Sequence, residues 1–389
     1  MTFDVQQATD TYINSLGIEA LAKATAYTSG SHWILLWGFL ISALTTWVFV
    51  KYGILNKINA KLNKRSLWLR SFVISGAFIF LSSLLMLPWS IYSDWWREVS
   101  YGKTSQPIED FLSQGGISLL LSSLLGGLFF SGIYFFIRRV GQFWWAWSGG
   151  LTAVFISTMM LLGPIWIEPL FNKYTPLPQG EVREALELLA KQANIDPDRI
   201  FVYDGSRQSN RFTANVSGLG SSARIAISDV ALKSASLDEV KAVTGHEIGH
   251  YVSGHVWNLI GTATVLAMLF FYLANALFSK VSRSIGSASV IADPIGIPVL
   301  LLCVSFLALL AQPVINFVVR QGEIEADQYS YQSVNLPDAM ATALVKTAEY
   351  RNPRPNAVQE FIFYSHPSVE KRVKAAIGLD PVIQYRRYV

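Results

Sequence analysis

The sequence predicts a mainly α-helical, multi-pass membrane protein with six transmembrane helices and a small α+β domain at one membrane face. Three observations carry this. Hydrophobic residues make up 51% of the 389 positions and charged residues only 15%, and the mean hydropathy is positive, +0.34. The charges are unevenly placed and leave six uncharged stretches, each long enough to cross a bilayer as a helix, which takes about 20 apolar residues. Two polar segments, 168–255 and 320–389, interrupt and follow these runs. Buried helices of a large soluble protein would be amphipathic rather than apolar all round, so the length and number of the runs argue against that reading.

The six spans are expected at 33–50, 71–93, 111–137, 140–167, 256–279 and 294–319. Trp and Tyr cluster at several ends (Trp33 and Trp37, Trp89 and Tyr92, Trp144 and Trp145, Trp257), as suits the headgroup layer. The chain divides accordingly. Residues 1–167 form an N-terminal membrane region with four helices, 168–255 a first extramembrane part, 256–319 a helix hairpin and 320–389 a second extramembrane part.

The net charge is only +4, and six Lys and Arg fall within residues 51–70. With Arg138, Arg139, Lys280 and Arg283 they mark the loops of one side. They read as topology signals rather than a nucleic-acid surface, and no nucleic-acid partner is expected. The positive-inside rule makes that side cytoplasmic and puts the polar segments and both termini on the other. The single cysteine, Cys303, lies in an apolar run, which rules out an intrachain disulfide and a cysteine-based metal site. The opening MTFDVQQATD lacks a basic n-region before an apolar core, so no cleavable signal peptide is expected.

Within the first polar segment, EPLFNKYTPLPQG predicts an extended, proline-clamped loop. EVREALELLAKQANI has the spacing of an amphipathic helix. RIFVYDGS reads as a strand, and ANVSG with ARIAISD as a hairpin around a Gly/Ser turn. A further helix begins near Asp238, with Ser236 and Glu239 spaced as a capping box.

That helix carries HEIGH at 246–250. Residues i and i+4 share a helix face, so His246 and His250 can point imidazole nitrogens at one ion. Glu247, on the neighbouring edge, can reach a water without ligating the metal, as a general base requires. Zinc is the expected metal, one per chain, and the chemistry is hydrolysis of a peptide bond. Three of the five histidines lie between 246 and 255. Gly245 and Gly249 fit close packing around the site.

A third ligand is needed. The pattern HExxHxxGxxH does not fit, because position 256 is Val256 and position 253 is Ser253. His255 is one residue off and faces another side of the helix, so it reads as structural. A carboxylate is the other known arrangement. HEIGH lies just before the fifth span and GEIEAD, 322–327, just after the sixth, so an antiparallel hairpin brings both to the same membrane face. Glu323 and Asp327 are i and i+4. One can ligate the metal while the other hydrogen-bonds a ligand imidazole, and Glu325 points elsewhere. In SHPSVEKRV, His366 serves equally as an oxyanion donor or as a capping histidine.

LPWSIYSDWWREVSYG, EPLFNKYTPLP, HEIGHYVSGH, EIEAD and YSHP, in this order, resemble the CAAX prenyl protease 1 family and its bacterial homologues over most of the chain after about residue 80. The resemblance implies His246, His250 and Glu323 as zinc ligands, Glu247 as catalytic base and Asp327 as the carboxylate behind the ligands, with His366 and Arg372 lining the cleft. It also implies a strand that pairs with the substrate backbone, here Thr213, Ala214 and Asn215. The family asparagine falls on Thr213, and Asn215, on the same strand face, can take its place. Eukaryotic members have seven spans against six here, the difference lying in the polar residues 1–31, and they carry an insertion ahead of HExxH that this chain lacks. A bacterial member in the inner membrane follows, acting on unprenylated membrane-associated or misfolded proteins. The family's active site faces the cytosol or nucleoplasm, opposite to the side the loop charges assign.

The competing reading is a transporter or channel with a His/Glu ion site. Such ligands belong inside spans near the midplane, whereas these flank the spans. A peptide or protein substrate and the bilayer are therefore the expected partners.

Overall fold

The computed structural model describes residues 4–218 and 220–378, so the last part of the segment 320–389 lies outside the described residues. The protein is mostly helical. In chain order its first helices are α1 (Val5–Asn14), α2 (Gly17–Lys51), α3 (Ile54–Lys61), α4 (Leu67–Ser90) and α5 (Arg97–Ser100), the last two joined by a π turn, Ile91–Trp96. Then come α6 (Ile108–Arg139) and α7 (Trp144–Leu162). Six helical stretches are long and apolar enough to cross a membrane: Gly17–Lys51, Leu67–Ser100, Ile108–Arg139, Gly141–Leu170, His255–Ser284 and Pro294–Ser333. All six expected spans are found, each helix running past the apolar run that announced it. Helical hydrogen bonding does not stop where hydrophobicity does, and polar turns continue the rods beyond the bilayer.

The extramembrane layer opens with β1 (Tyr174–Pro176), α8 (Glu181–Gln192), β2 (Ile200–Tyr203), β3 (Ala214–Ser217), β4 (Arg224–Ser228) and α9 (Asp229–Ser234). The strands make one sheet in the order β1-β2-β4-β3. β2 runs parallel to β4, and β3 pairs with β4 antiparallel, Asn215 opposite Ala226. The expected strand, hairpin and amphipathic helix are present. β1 corrects the loop expectation: Tyr174 pairs with Tyr203, and their rings stack with centroids 5.5 Å apart. Pro176 lacks an N–H but sits in an edge strand, where none is needed. β3 is the opposite edge, free on its outer side among the described residues.

Next come α10 (Leu237–Val252), α11 (His255–Ser284), α12 (Ile297–Ser333), α13 (Pro337–Thr347), α14 (Ala357–Phe363) and α15 (Val369–Gly378). The capping box starts α10 as expected, Ser236 Oγ accepting from the Glu239 N–H at 3.2 Å and Glu239 accepting from the Ser236 N–H at 2.8 Å. Among the described residues, three cores hold the molecule. One lies among the spans around Ile74, Ile133, Tyr134 and Ile297. A second joins sheet, α8 and α10 through Leu186, Ile200, Ile225 and Ile248. A third packs α13 and α15, with Ala8 and Tyr12 of α1 against it. The polar first helix therefore belongs to the extramembrane layer, not to the bilayer.

Candidate metal centre

Two rods deliver the chemistry. α10 lies in the polar part of the chain, while α12 is a single helix of 37 residues that runs on past its apolar part and continues beside α10. Their approach is close because α10 presents glycine. A Cβ on Gly249 would stand 3.0 Å from the main chain of Ala326 and from Cβ of Tyr329, and one on Gly245 would stand 2.4 Å from Cγ2 of Val334. Ser330 of α12 also donates to the Ala242 carbonyl at 2.7 Å.

At that contact His246, His250 and Glu323 converge. Nε2 of His246 is 3.2 Å from Nε2 of His250 and 3.3 Å from Oε2 of Glu323, and Nε2 of His250 is 3.4 Å from Oε1 of Glu323. Ligand atoms placed tetrahedrally at 2.0–2.1 Å around zinc stand about 3.3 Å apart. The donor set therefore fits the ion in chemistry and in size. Glu323 is buried, and its Oε2, 3.3 Å from His246 Nε2 and 4.0 Å from Arg372 Nη2, makes no well-formed hydrogen bond with either. A buried carboxylate oxygen left in this state calls for a cation.

Asp327 Oδ1 lies 2.9 Å from Nδ1 of His246, in position to fix that imidazole with Nε2 turned inward. The resemblance places Arg372 along the cleft, whereas the structure buries it behind Asp327. Its Nε and Nη2 donate to the two Asp327 oxygens at 2.8 and 2.6 Å, and Nη2 is 4.0 Å from Glu323. His366 faces the centre, its Nε2 3.2 Å from Glu323 Oε1, while Ser365 Oγ is 2.9 Å from its Nδ1. Burial, with the charges of Arg351 and Arg372, pushes its pKa down to about 3, outweighing the pull of Glu323. His366 is thus a neutral imidazole at physiological pH. Glu247 is half-buried, and burial raises its carboxyl above the ordinary value against the attraction of His246 and His250. Its carboxylate makes no hydrogen bond or ion pair with the described residues.

His255 departs from expectation. Gly254, at φ +67°, ends α10 in the left-handed region, and α11 starts afresh at His255. The break swings His255 back to the site. Its Nδ1 is 2.8 Å from Nδ1 of His250 and its Nε2 is 3.0 Å from Glu325 Oε2. Glu325, turned from the metal position as expected, thus orients His255, and His255 orients His250. The glycine in YVSGH was the available signal, since a left-handed C-cap ends a helix there.

The strand residues are only partly placed as expected. Thr213 lies just outside β3, and its hydroxyl is 2.7 Å from that of Tyr203. Ala214 and Asn215 are in β3, and Asn215 Oδ1 is buried without a partner among the described residues. A cavity of about 1070 Å³ opens beside His250 and the end of β3 and runs down between spans, lined by Met159, Val216, Trp257, Val314 and Phe317 among others.

With this geometry in view, the comparisons are specific. The sequence matches the family model described as Peptidase family M48 over residues 176–379. It also matches the model described as CAAX prenyl protease N-terminal, five membrane helices, over residues 6–173. In that stretch four described helices are long and apolar enough to span. The chain is 29% identical to CAAX prenyl protease 1 of Saccharomyces cerevisiae, covering 92% of this chain and 85% of that protein. It is 26% identical to the metalloprotease YhfN of Bacillus subtilis at the same coverages. The crystal structure of Ste24p from S. mikatae superposes with a TM-score of 0.75 at 25% identity, over 92% of this chain and 88% of that one.

Proposed function

The chain belongs to peptidase family M48, and from that premise we propose a membrane-embedded zinc endopeptidase in which His246, His250 and Glu323 hold the ion and Glu247 is the base. That it is a metalloprotease with several membrane helices follows from the family; the zinc, the residue roles and the substrate are our reading. The observation that carries it is the near-equal spacing of the three donor atoms, 3.2, 3.3 and 3.4 Å, across two helices.

When bound, zinc supplies Lewis-acid polarisation of the peptide carbonyl and lowers the pKa of water towards 7. Glu247 takes the proton as water attacks and delivers it to the departing amine. His366, neutral and accepting at Nδ1 from Ser365, donates from Nε2 to the oxyanion of the tetrahedral intermediate. Arg372 acts through Asp327, holding the carboxylate that orients His246. The free edge of β3 offers main-chain groups to an extended peptide, with Asn215 as the side chain that can add to that pairing. The apolar cavity walls suit substrates presented at the bilayer. We propose unprenylated membrane-associated or misfolded proteins rather than the CAAX substrates named for the yeast relative. A transporter reading is disfavoured because the donors lie outside the apolar runs, His246 and His250 in α10 and Glu323 in the polar continuation of α12.

The test is cleavage of casein and of matched prenylated and unprenylated peptides by the purified full-length protein. Chelation and Glu247→Gln should each abolish hydrolysis, and unprenylated peptides should be cut. Full activity in the Glu247→Gln variant would sink the protease reading, and an absolute requirement for the lipid would return the substrate to the prenylated class.

A further inference from the structure

Among the described residues, Arg351 is the one half-buried arginine whose side chain has no hydrogen-bond or ion-pair partner. It follows a short 3-10 turn, Ala348–Tyr350, in extended backbone at φ −151°. Although half-buried, its guanidinium makes no hydrogen bond or ion pair. Its neighbours differ. Arg372 is clamped on Asp327, Arg211 pairs with Glu98 at 2.6 Å, and Arg320 donates to the carbonyls of Glu360 and Tyr364. Arg65 and Arg139 are unpaired as well, but they stand in water.

The segment bearing Arg351 is pinned to α2 and to the chain leading to His366. The Asn352 N–H donates to Thr28 Oγ1 at 2.8 Å, and the Tyr364 hydroxyl donates to the Asn352 carbonyl at 3.0 Å, two residues before His366. The charge of Arg351 is felt at both Glu323 and His366. Burial without a counter-ion also lowers its own pKa. A half-buried cation without a counter-ion, close enough for its charge to act on Glu323 and His366, is a favourable place for a bound anion.

The charges around the site say what would. With a divalent ion in place, that ion and the guanidiniums of Arg351 and Arg372 face the carboxylates of Glu247, Glu323 and Asp327, leaving one positive charge in excess. Arg372 is neutralised by Asp327, so the excess sits on Arg351. A peptide backbone brings dipoles but no charge, whereas a carboxylate matches the guanidinium fork with two parallel hydrogen bonds. We propose that Arg351 receives a carboxylate of the bound substrate, either the chain-terminal one or an acidic side chain near the cleaved bond. This deepens the protease reading and rests on it.

The experiment uses full-length, zinc-loaded protein in detergent and an internally quenched peptide made in pairs. One pair carries a free C-terminal carboxylate or its amide; the other, amidated, carries Glu or Gln close to the cleaved bond. One acidic member is expected to be cleaved with kcat/KM about 10- to 100-fold above its neutral twin, and the pair that differs identifies the carboxylate's source. Arg351→Gln should bring the acidic peptide down to the level of its twin, and Arg351→Lys should keep part of the preference, having charge but no fork. Equal cleavage of both twins in both pairs by the wild type overturns the proposal, as does a preference that survives in Arg351→Gln. If that variant does not fold, the wild-type twins and Arg351→Lys still decide. Failure to cleave any peptide, with Glu247→Gln indistinguishable from wild type, is instead failure of the protease reading, and this inference goes with it.

Discussion

Burial sets the character of Glu247. Its carboxyl stands above the ordinary 4.5 because desolvation outweighs the nearby imidazoles. An acid whose pKa is raised on folding holds its proton more tightly in the native state, so between the two pKa values the unfolded chain binds fewer protons and stability falls as pH rises. Thermal unfolding of the metal-free protein should show this decline from about pH 4.5 upward, and Glu247→Gln should flatten it while removing activity. Equal pH slopes for the two proteins would mean the side chain is not desolvated as described. HEIGH alone announced His246, Glu247 and His250, because a spacing of four on a helix is a local fact. Glu323 and Asp327 were not separable by spacing, since they share a face. Only the tertiary contact shows Glu323 reaching both Nε2 atoms while Asp327 reaches Nδ1 and Arg372. The surroundings of Arg372 and His255 were not legible because they depend on what lies behind Asp327 or around the bend at Gly254, which a one-dimensional pattern does not contain.

At the level of elements, the decisive contact is α10 against α12. Gly249→Ala would push a methyl group into the main chain of Ala326 at 3.0 Å, and forced separation of well-packed elements costs about 1–3 kcal/mol. The expected result is a lower melting temperature together with weakened zinc retention, measured by metal content after dialysis against a mild chelator. Unchanged retention would show that α12 can yield without moving Glu323. The helices and the β3–β4 hairpin were legible from periodicity and turn residues. β1 was not, because three residues rich in proline and aromatics carry no alternation, and their strand exists only through pairing with β2. The continuation of α12 past the bilayer was equally hidden, since hydropathy marks where apolar residues stop and not where a helix does.

For the molecule as a whole, the six spans were the most legible feature, because the bilayer forces each crossing to be long, apolar and internally hydrogen-bonded. The basic loops gather at one end: Arg70 of α4 bonds Asn59 of α3, and Arg138 of α6 bonds Ser71. The candidate metal centre is at the other end. The positive-inside rule predicts that a compartment-specific reporter fused after the described residues, at Val389, will be active on the non-cytoplasmic side. Activity in the cytoplasm would show that the orientation implied by the eukaryotic relatives overrides the loop charges.

Because the two imidazoles come from the outer layer and the carboxylate from a helix that continues an apolar span, an ion held as proposed would act as a rivet between them as well as a reagent. Its affinity would contribute to fastening the layer onto the membrane scaffold. Removing the ion would take one tie from a seam that the packing of Gly249 on Ala326 and the Ser330–Ala242 hydrogen bond still hold.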